Sequence, residues 1–423
     1  MSYKKFKADH IFTGIEMLDN DSVLITNKEG IVEDIVTIQD AGDDIQYFNG
    51  ILTPGFINCH CHLELSHMKG LIPEKTGLID FVFKVVTERH FDEEEIQAAI
   101  AEAEDEMLAN GIVAAGDICN NGLTLSQKLK GRLTYYNFIE VSGWLPQVAE
   151  QRFSRSKAYY DAFVNSQLPM GNGQWAIGNE RTLNNEVQIQ RQTTNYKLQT
   201  SLVPHAPYSV SEELWNLIQP FFNNKTISIH NQETSFEDEL FIQNGGDFLR
   251  MYQLMRIDNS FFKPTGKSSL QSYFHKLSNA KNVMLVHNTF TTHADITYSS
   301  QLAVQSSQQL FWCLCINANI YIENKVPPVD LFVRNGCTIV LGTDSLASNR
   351  SLNLLDEMKN VKQYFPNIPT QQLLQWTTIN GAKALQIDGL FGSFEKGKQP
   401  GVVLIDKLNN EGISPASKAI RLI

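Results

Sequence analysis

The stretch Pro54-Gly-Phe-Ile-Asn-Cys-His-Cys-His-Leu-Glu64 decides how the rest of the chain is read. It opens as an apolar, strand-like run and ends on two histidines two residues apart. Successive side chains of an extended chain point to opposite faces, so His60 and His62 can address one ion while Cys59 and Cys61 face away. On its own such a pair is more often two ordinary histidines near a strand end. Its meaning depends on what stands at the ends of the other strands.

Eight strand-like runs can be picked out: Ile51–Cys59, Ile112–Asp117, Leu133–Val141, Thr200–His205, Thr226–His230, Asn282–His287, Leu310–Cys315 and Thr338–Asp344. Helix-length segments separate them. Glu93–Asn110 is one, with Ile96, Ile100, Ala103, Met107 and Leu108 on one face and Gly111 as its stop. Eight βα units predict an α/β fold of the (β/α)8 TIM-barrel type, whose reactive residues gather at the C-terminal strand ends. His60, His62, His205, His230, His287 and Asp344 all fall at such ends.

Residues 1 to about 50 differ in texture, being short strands split by turn signals such as Asn27-Lys28-Glu29-Gly30 and Asp40-Ala41-Gly42-Asp43. Strand-like runs return at Val402–Ile405 and Ala419–Ile423. The expected organisation is a small β-sandwich domain whose first part is 1–52, a barrel over 53–394, and the second part of the β-domain over 395–423.

The 423-residue chain has a formal net charge of −11 and no Lys/Arg run suited to a phosphate backbone, which argues against nucleic acid as a partner. No apolar stretch has signal-peptide or membrane-spanning length, so no membrane partner and a cytoplasmic location are expected. The six cysteines contain no C-x-x-C pair and read as reduced, mostly buried thiols.

A third imidazole, His230, ends Ile227-Ser-Ile-His230, and Asp344 ends Val340-Leu-Gly-Thr-Asp344. Three imidazoles and one carboxylate suit a borderline divalent ion, zinc first and iron as the alternative, with water completing the shell. The candidate metal ligands are therefore His60, His62, His230 and Asp344. The separate zinc deaminase fold needs H-x-E with P-C-x-x-C, and this chain has neither.

Together with Pro204-His-Ala-Pro-Tyr-Ser-Val-Ser211, His230-x-x-Glu233, Val286-His287 and Gly342-Thr-Asp-Ser-Leu-Ala-Ser-Asn349, the opening stretch resembles the amidohydrolase superfamily. The similarity is to its branch of cytosine-, guanine- and adenosylhomocysteine-type deaminases and triazine hydrolases. The resemblance implies one divalent metal ion on His60, His62, His230 and Asp344. It also implies catalytic roles: Asp344 takes a proton from metal-bound water, Glu233 carries a proton to the substrate, and His287 sits by the attacking hydroxide. Two-metal members bridge their ions with a modified lysine after strand four, and Thr200-Ser-Leu-Val-Pro-His205 has none, so one ion is expected. Cys315-Ile-Asn-Ala-Asn319 departs from the usual Cys-Pro-x-x-Asn at Ile316, which leaves the shape of that loop open.

Gly77–Arg89 and the segment from Glu233 to Gly266 look most like the aminodeoxyfutalosine deaminases. A hydrolase acting on C–N bonds other than peptide bonds is implied, specifically a deaminase of an aminated, purine-like heterocycle. The substrate is expected to be a small molecule touched by His205, Arg89 and Glu140, and a homodimer is left open. Arg89 could pair with a substrate carboxylate. The alternatives are hydrolysis of another C–N or C–Cl bond, in a cyclic amide or triazine, and a non-catalytic relative of the fold.

Overall fold

The structure, a computed structural model, describes residues 3–166 and 198–423. The first strands are short and broken by turns: β1 (Tyr3–Lys7), β2 (His10–Phe12), β3 (Met17–Leu18), β4 (Ser22–Asn27), β5 (Val32–Thr37), β6 (Ile45–Tyr47) and β7 (Ile51–Pro54). The run expected as one strand, Ile51–Cys59, is two. Gly55 separates β7 from β8 (Phe56–Cys61), and a side chain on it would meet Val113 and the Pro400 carbonyl.

β8 begins a series of parallel strands: β9 (Ile112–Cys119), β10 (Thr134–Val141), β11 (Leu198–Pro204), β12 (Thr226–Asn231), β13 (Asn282–His287), β14 (Gln309–Leu314) and β15 (Thr338–Leu341). They form two four-stranded sheets, β11-β10-β9-β8 and β12-β13-β14-β15. The edges of these sheets meet at both ends of the series. His230 N–H donates to His205 C=O at 3.0 Å, while the N–H groups of Thr343 and Asp344 both donate to His60 C=O at 3.0 Å. Every residue of β8, β9, β10, β12 and β13 is buried, as parallel strands covered on both faces must be.

The covering helices follow their apolar periodicity. Glu93–Ala109 buries Ile96, Ile100, Ala103 and Met107 and ends before Gly111, whose φ of 80° suits a residue without Cβ. Ile316 starts the helix Ile316–Glu323 directly after β14. This is the first helical position, where proline is favoured but not required, so the departure at Ile316 leaves the element intact.

The chain then returns to the first strands. β16 (Val402–Asp406) pairs antiparallel with β7 and with β17 (Lys418–Arg421), giving the sheet β17-β16-β7-β2-β3 beside β5-β4-β1-β6. Phe6, Ile11 and Leu24 pack with Leu52, Phe394, Val402 and Leu404 in one buried cluster separate from the main core. All six cysteines are free, and five are buried. Among the described residues no helix is long and apolar enough to cross a membrane.

Candidate functional site

Four strand ends bring the expected residues together. His60 lies within β8 and His62 just past it, with their Nε2 atoms 3.1 Å apart. Asp344 approaches across the β15–β8 seam, its Oδ1 lying 3.5 Å from His60 Nε2 and 3.2 Å from His62 Nε2. Gly342 permits that approach, since a Cβ there would lie 2.8 Å from the Cβ of His60. The Ser348 hydroxyl donates to the other Asp344 oxygen at 2.5 Å. His230, in β12, donates from Nδ1 to His205 C=O at 2.8 Å, with Glu140 Oε1 3.3 Å from the same nitrogen. With Nδ1 occupied as donor, Nε2 carries the lone pair. The ligand atoms of His60, His62 and His230 lie within 4.8 Å of one another, as do those of His60, His287 and Asp344.

Backbone strain collects here. Gln232, His287, Asn288 and Asp344 all have positive φ, at 45°, 73°, 60° and 57°. Such geometry costs about 1–3 kcal/mol per residue and persists where the surroundings over-determine it. Asn288 is tied by Asn231 and by the carbonyls of Leu285 and Cys313.

Electrostatics separate the imidazoles. Burial pushes His205 and His287 down to about 3, lowers His60, and drives His230 well below the usual range, so these rings are neutral. Burial acts the same way on His62, but the Asp344 hydrogen bond and the charges of Asp344, Glu140 and Glu64 overcome it and lift His62 to about 9. Burial would raise Asp344, yet His60 and His62 hold it well below the carboxylate range. The cluster thus draws positive charge to its centre even when only a proton is offered. The neutral imidazoles of His60 and His230 beside an ionised carboxylate, with His62 once a cation displaces its proton, form the donor set a divalent cation requires.

Above the cluster lies a cavity of about 320 Å³ lined by both metal-cluster residues and apolar side chains. Phe81, Val82, Val85, Trp144, Tyr252 and Met255 form much of its wall, and Trp144 stacks on Tyr252 at 5.5 Å. Glu233 lines it with Oε2 3.6 Å from His287 Nε2, and burial raises its carboxyl well above the usual value. His205 reaches the pocket and bonds Ser209 Oγ through Nδ1 at 2.8 Å. Glu140 is pushed up to about 7 by burial and accepts from Asn120 Nδ2 at 2.9 Å. Arg89, just after the helix Leu78–Glu88, also lines the pocket. The expected residues therefore converge, and Asn120, Ser348, Trp144 and Tyr252 join them. Asn120 directly follows β9, so the strand-end rule could have found it; Tyr252 lies in the Glu233–Gly266 segment already singled out, whereas Trp144 comes from a segment without a motif.

Parallel strands alternating with helices, with buried imidazoles and a carboxylate converging at their C-terminal ends beneath a pocket, place the chain in the α/β class with a donor set suited to a divalent cation. The chain belongs to the amidohydrolase family, whose profile matches residues 51–420. This family uses a divalent metal.

Its relatives include the 5'-deoxyadenosine deaminase of Methanosphaera stadtmanae, 22% identical over 91% of this chain and 81% of that one. The 5-methylthioadenosine/S-adenosylhomocysteine deaminase of Saccharophagus degradans is 26% identical over 88% of this chain and 74% of its own length. Among solved structures, Helicobacter pylori aminofutalosine deaminase in complex with methylthio-coformycin superposes with a TM-score of 0.76 at 21% identity, covering 99% of this chain and 100% of that one. Another similar structure is the Arthrobacter aurescens atrazine chlorohydrolase complexed with zinc, with a TM-score of 0.66 at 14% identity, covering 94% of this chain and 86% of that one.

Proposed function

We propose that this protein is a hydrolytic deaminase of an aminated nitrogen heterocycle of the adenine-nucleoside type, aminodeoxyfutalosine being one candidate. The observation that carries the reading is the convergence of three buried imidazoles and Asp344 under a pocket that also holds Glu233 and His287. Relatives named as deaminases of 5'-deoxyadenosine and methylthioadenosine support it.

His60, His62, His230 and Asp344 would hold one divalent cation, zinc first and iron second. When bound, the ion supplies Lewis acidity, which brings the pKa of water to about 7. Asp344, whose Oδ2 is bonded by Ser348, would accept a proton from the attacking water at Oδ1 and return it to the departing amine, which leaves as ammonia. Glu233, kept protonated by burial, donates to the ring nitrogen next to the amine-bearing carbon, preventing negative charge from building on the ring. His287, neutral beside Glu233, orients the water. His205, Glu140 and Arg89 contact the substrate. The apolar wall excludes solvent from the ring.

On the same reading, the eight parallel strands close into a barrel and the terminal strands form a β-sandwich divided near residues 52 and 395. The hydrogen bonds at His205–His230 and His60–Asp344, and the cluster around Phe6 and Leu404, support both.

Chelator-stripped protein, reloaded with zinc or iron, is to be assayed on adenine nucleosides, cyclic amides and chlorotriazines. Ammonia from the nucleosides, lost on stripping and restored at one ion per chain, is expected. Turnover confined to an amide or a triazine would replace deamination with another hydrolysis at the same site.

A further inference from the structure

The Asp117–Lys128 pair lies outside the pocket and takes no part in the reaction above. Lys128 ends the short helix Leu125–Lys128 and is fully buried. Its ammonium reaches Asp117 Oδ2 at 2.5 Å, Asn137 Oδ1 at 2.7 Å and Cys119 Sγ at 3.1 Å, so all three N–H groups have acceptors. A buried ion pair is weak evidence for stability, because desolvation offsets most of the attraction. What else the carboxylate does is therefore more informative. Asp117 Oδ1 accepts from the backbone N–H of Leu63 at 2.8 Å, the peptide immediately after His62.

That bond falls where the β8–β9 ladder fails. Asn58 pairs with Ala115, but the next pair is Cys61 with Asp117, so three steps along β8 match two along β9. One extra residue of this kind bends a strand and leaves ladder groups unpaired. Gly116 accommodates the bend, since a Cβ there would lie 2.4 Å from the Cys59 carbonyl oxygen. His60 sits on the irregularity and His62 just beyond it. On the β9 side both depend on a stretch that ordinary strand pairing does not hold; on the other side the His60 carbonyl accepts from the N–H groups of Thr343 and Asp344.

We infer that Asp117, neutralised by Lys128, is the positioning residue for His60 and His62: it supplies the hydrogen bond that the broken ladder lacks and fixes the peptide after His62 so that both Nε2 atoms stay converged. This rests on the metal-site reading given above. Lys128 belongs to the device because a buried carboxylate without a counter-charge is costly and tends to take up a proton. Neither residue touches the pocket, so their effect reaches the chemistry only through the geometry of the two histidines.

Two charge-free double variants separate positioning from charge and packing. Asp117→Asn/Lys128→Met keeps an oxygen able to accept from Leu63 N–H, whereas Asp117→Leu/Lys128→Met keeps similar volume and has no acceptor. The readouts on the full-length protein are zinc affinity by chelator competition, the visible spectrum of the cobalt(II) form, and thermal unfolding without metal. The Asn pair is expected to bind zinc within about threefold of wild type, and the Leu pair about 10- to 100-fold more weakly with an altered cobalt spectrum, as for other partners of metal ligands. Equal zinc affinity in the two folded pairs overturns the inference. Should the Leu pair fail to fold, Asp117→Ala/Lys128→Met takes its place under the same criterion. Wild-type protein that takes up no zinc overturns the metal-site reading and this inference with it, a result distinct from undiminished affinity in the Leu pair, which overturns this inference alone.

Discussion

Glu233 lies in the pocket wall with its carboxylate beside His287, and burial favours its protonated form. An acid in that state can donate to a ring nitrogen and be restored afterwards, a contribution of about 10²- to 10⁴-fold in rate. Glu233→Gln keeps the shape but cannot cycle a proton. It should retain the metal and the fold while losing ammonia release by about 10²-fold or more. Near-normal turnover in the metal-replete variant would remove Glu233 from the mechanism and leave it as an orienting group for its neighbours. His60, His62, His230 and Asp344 were legible in the sequence because each ends an apolar run. Asn120, just past the end of β9, was open to the same rule; the part of Ser348 was not, since spacing along the chain does not reveal its hydrogen bond to Asp344.

The elements around the site are joined by buried polar groups as well as by apolar packing. Glu357, in the helix Leu354–Tyr364, accepts from Asn317 N–H in the helix Ile316–Glu323 and from Asn349 Nδ2 in the loop after β15, each at 3.0 Å. Burial, only partly countered by these bonds, raises its carboxyl from 4.5 to about 8. A group that binds its proton more tightly when folded contributes stability at low pH and loses it as the pH rises through the folded value. Wild-type stability should therefore carry a falling component between about pH 4.5 and 8. Glu357→Gln should flatten that component, as measured by chemical unfolding across this range. An unchanged slope in the variant would mean that Glu357 is ionised in the folded protein. The eight parallel strands were legible because buried parallel strands are continuous apolar runs. The division of Ile51–Cys59 into β7 and β8 was not, since its cause is Gly55 pressed against Pro400, a contact distant in sequence.

At the scale of the whole molecule, the two ends of the chain share one hydrophobic cluster, and β16 completes the sheet that β7 and β2 begin. Deleting residues 1–50 removes no proposed catalytic group, yet it bares Leu52, Phe394, Val402 and Leu404 and opens the β7 edge to other chains. The truncated protein is expected in the insoluble fraction, and a soluble, active product would show that the ends are not interdependent. The alternation of strand and helix was enough to indicate the α/β class; of the pocket walls, the segments that hold Phe81 and Tyr252 stood out in the sequence, but their meeting with Trp144 did not, because it joins parts of the chain far apart in sequence. What those walls admit is decided by the reaction itself. The most direct test is to run the zinc-loaded protein on an adenine nucleoside in water enriched in a heavy oxygen isotope. The account predicts one ammonia released per turnover and one labelled oxygen on the ring carbon that carried the amine; a folded, zinc-replete protein that leaves the amine in place, or puts the label elsewhere, would contradict it.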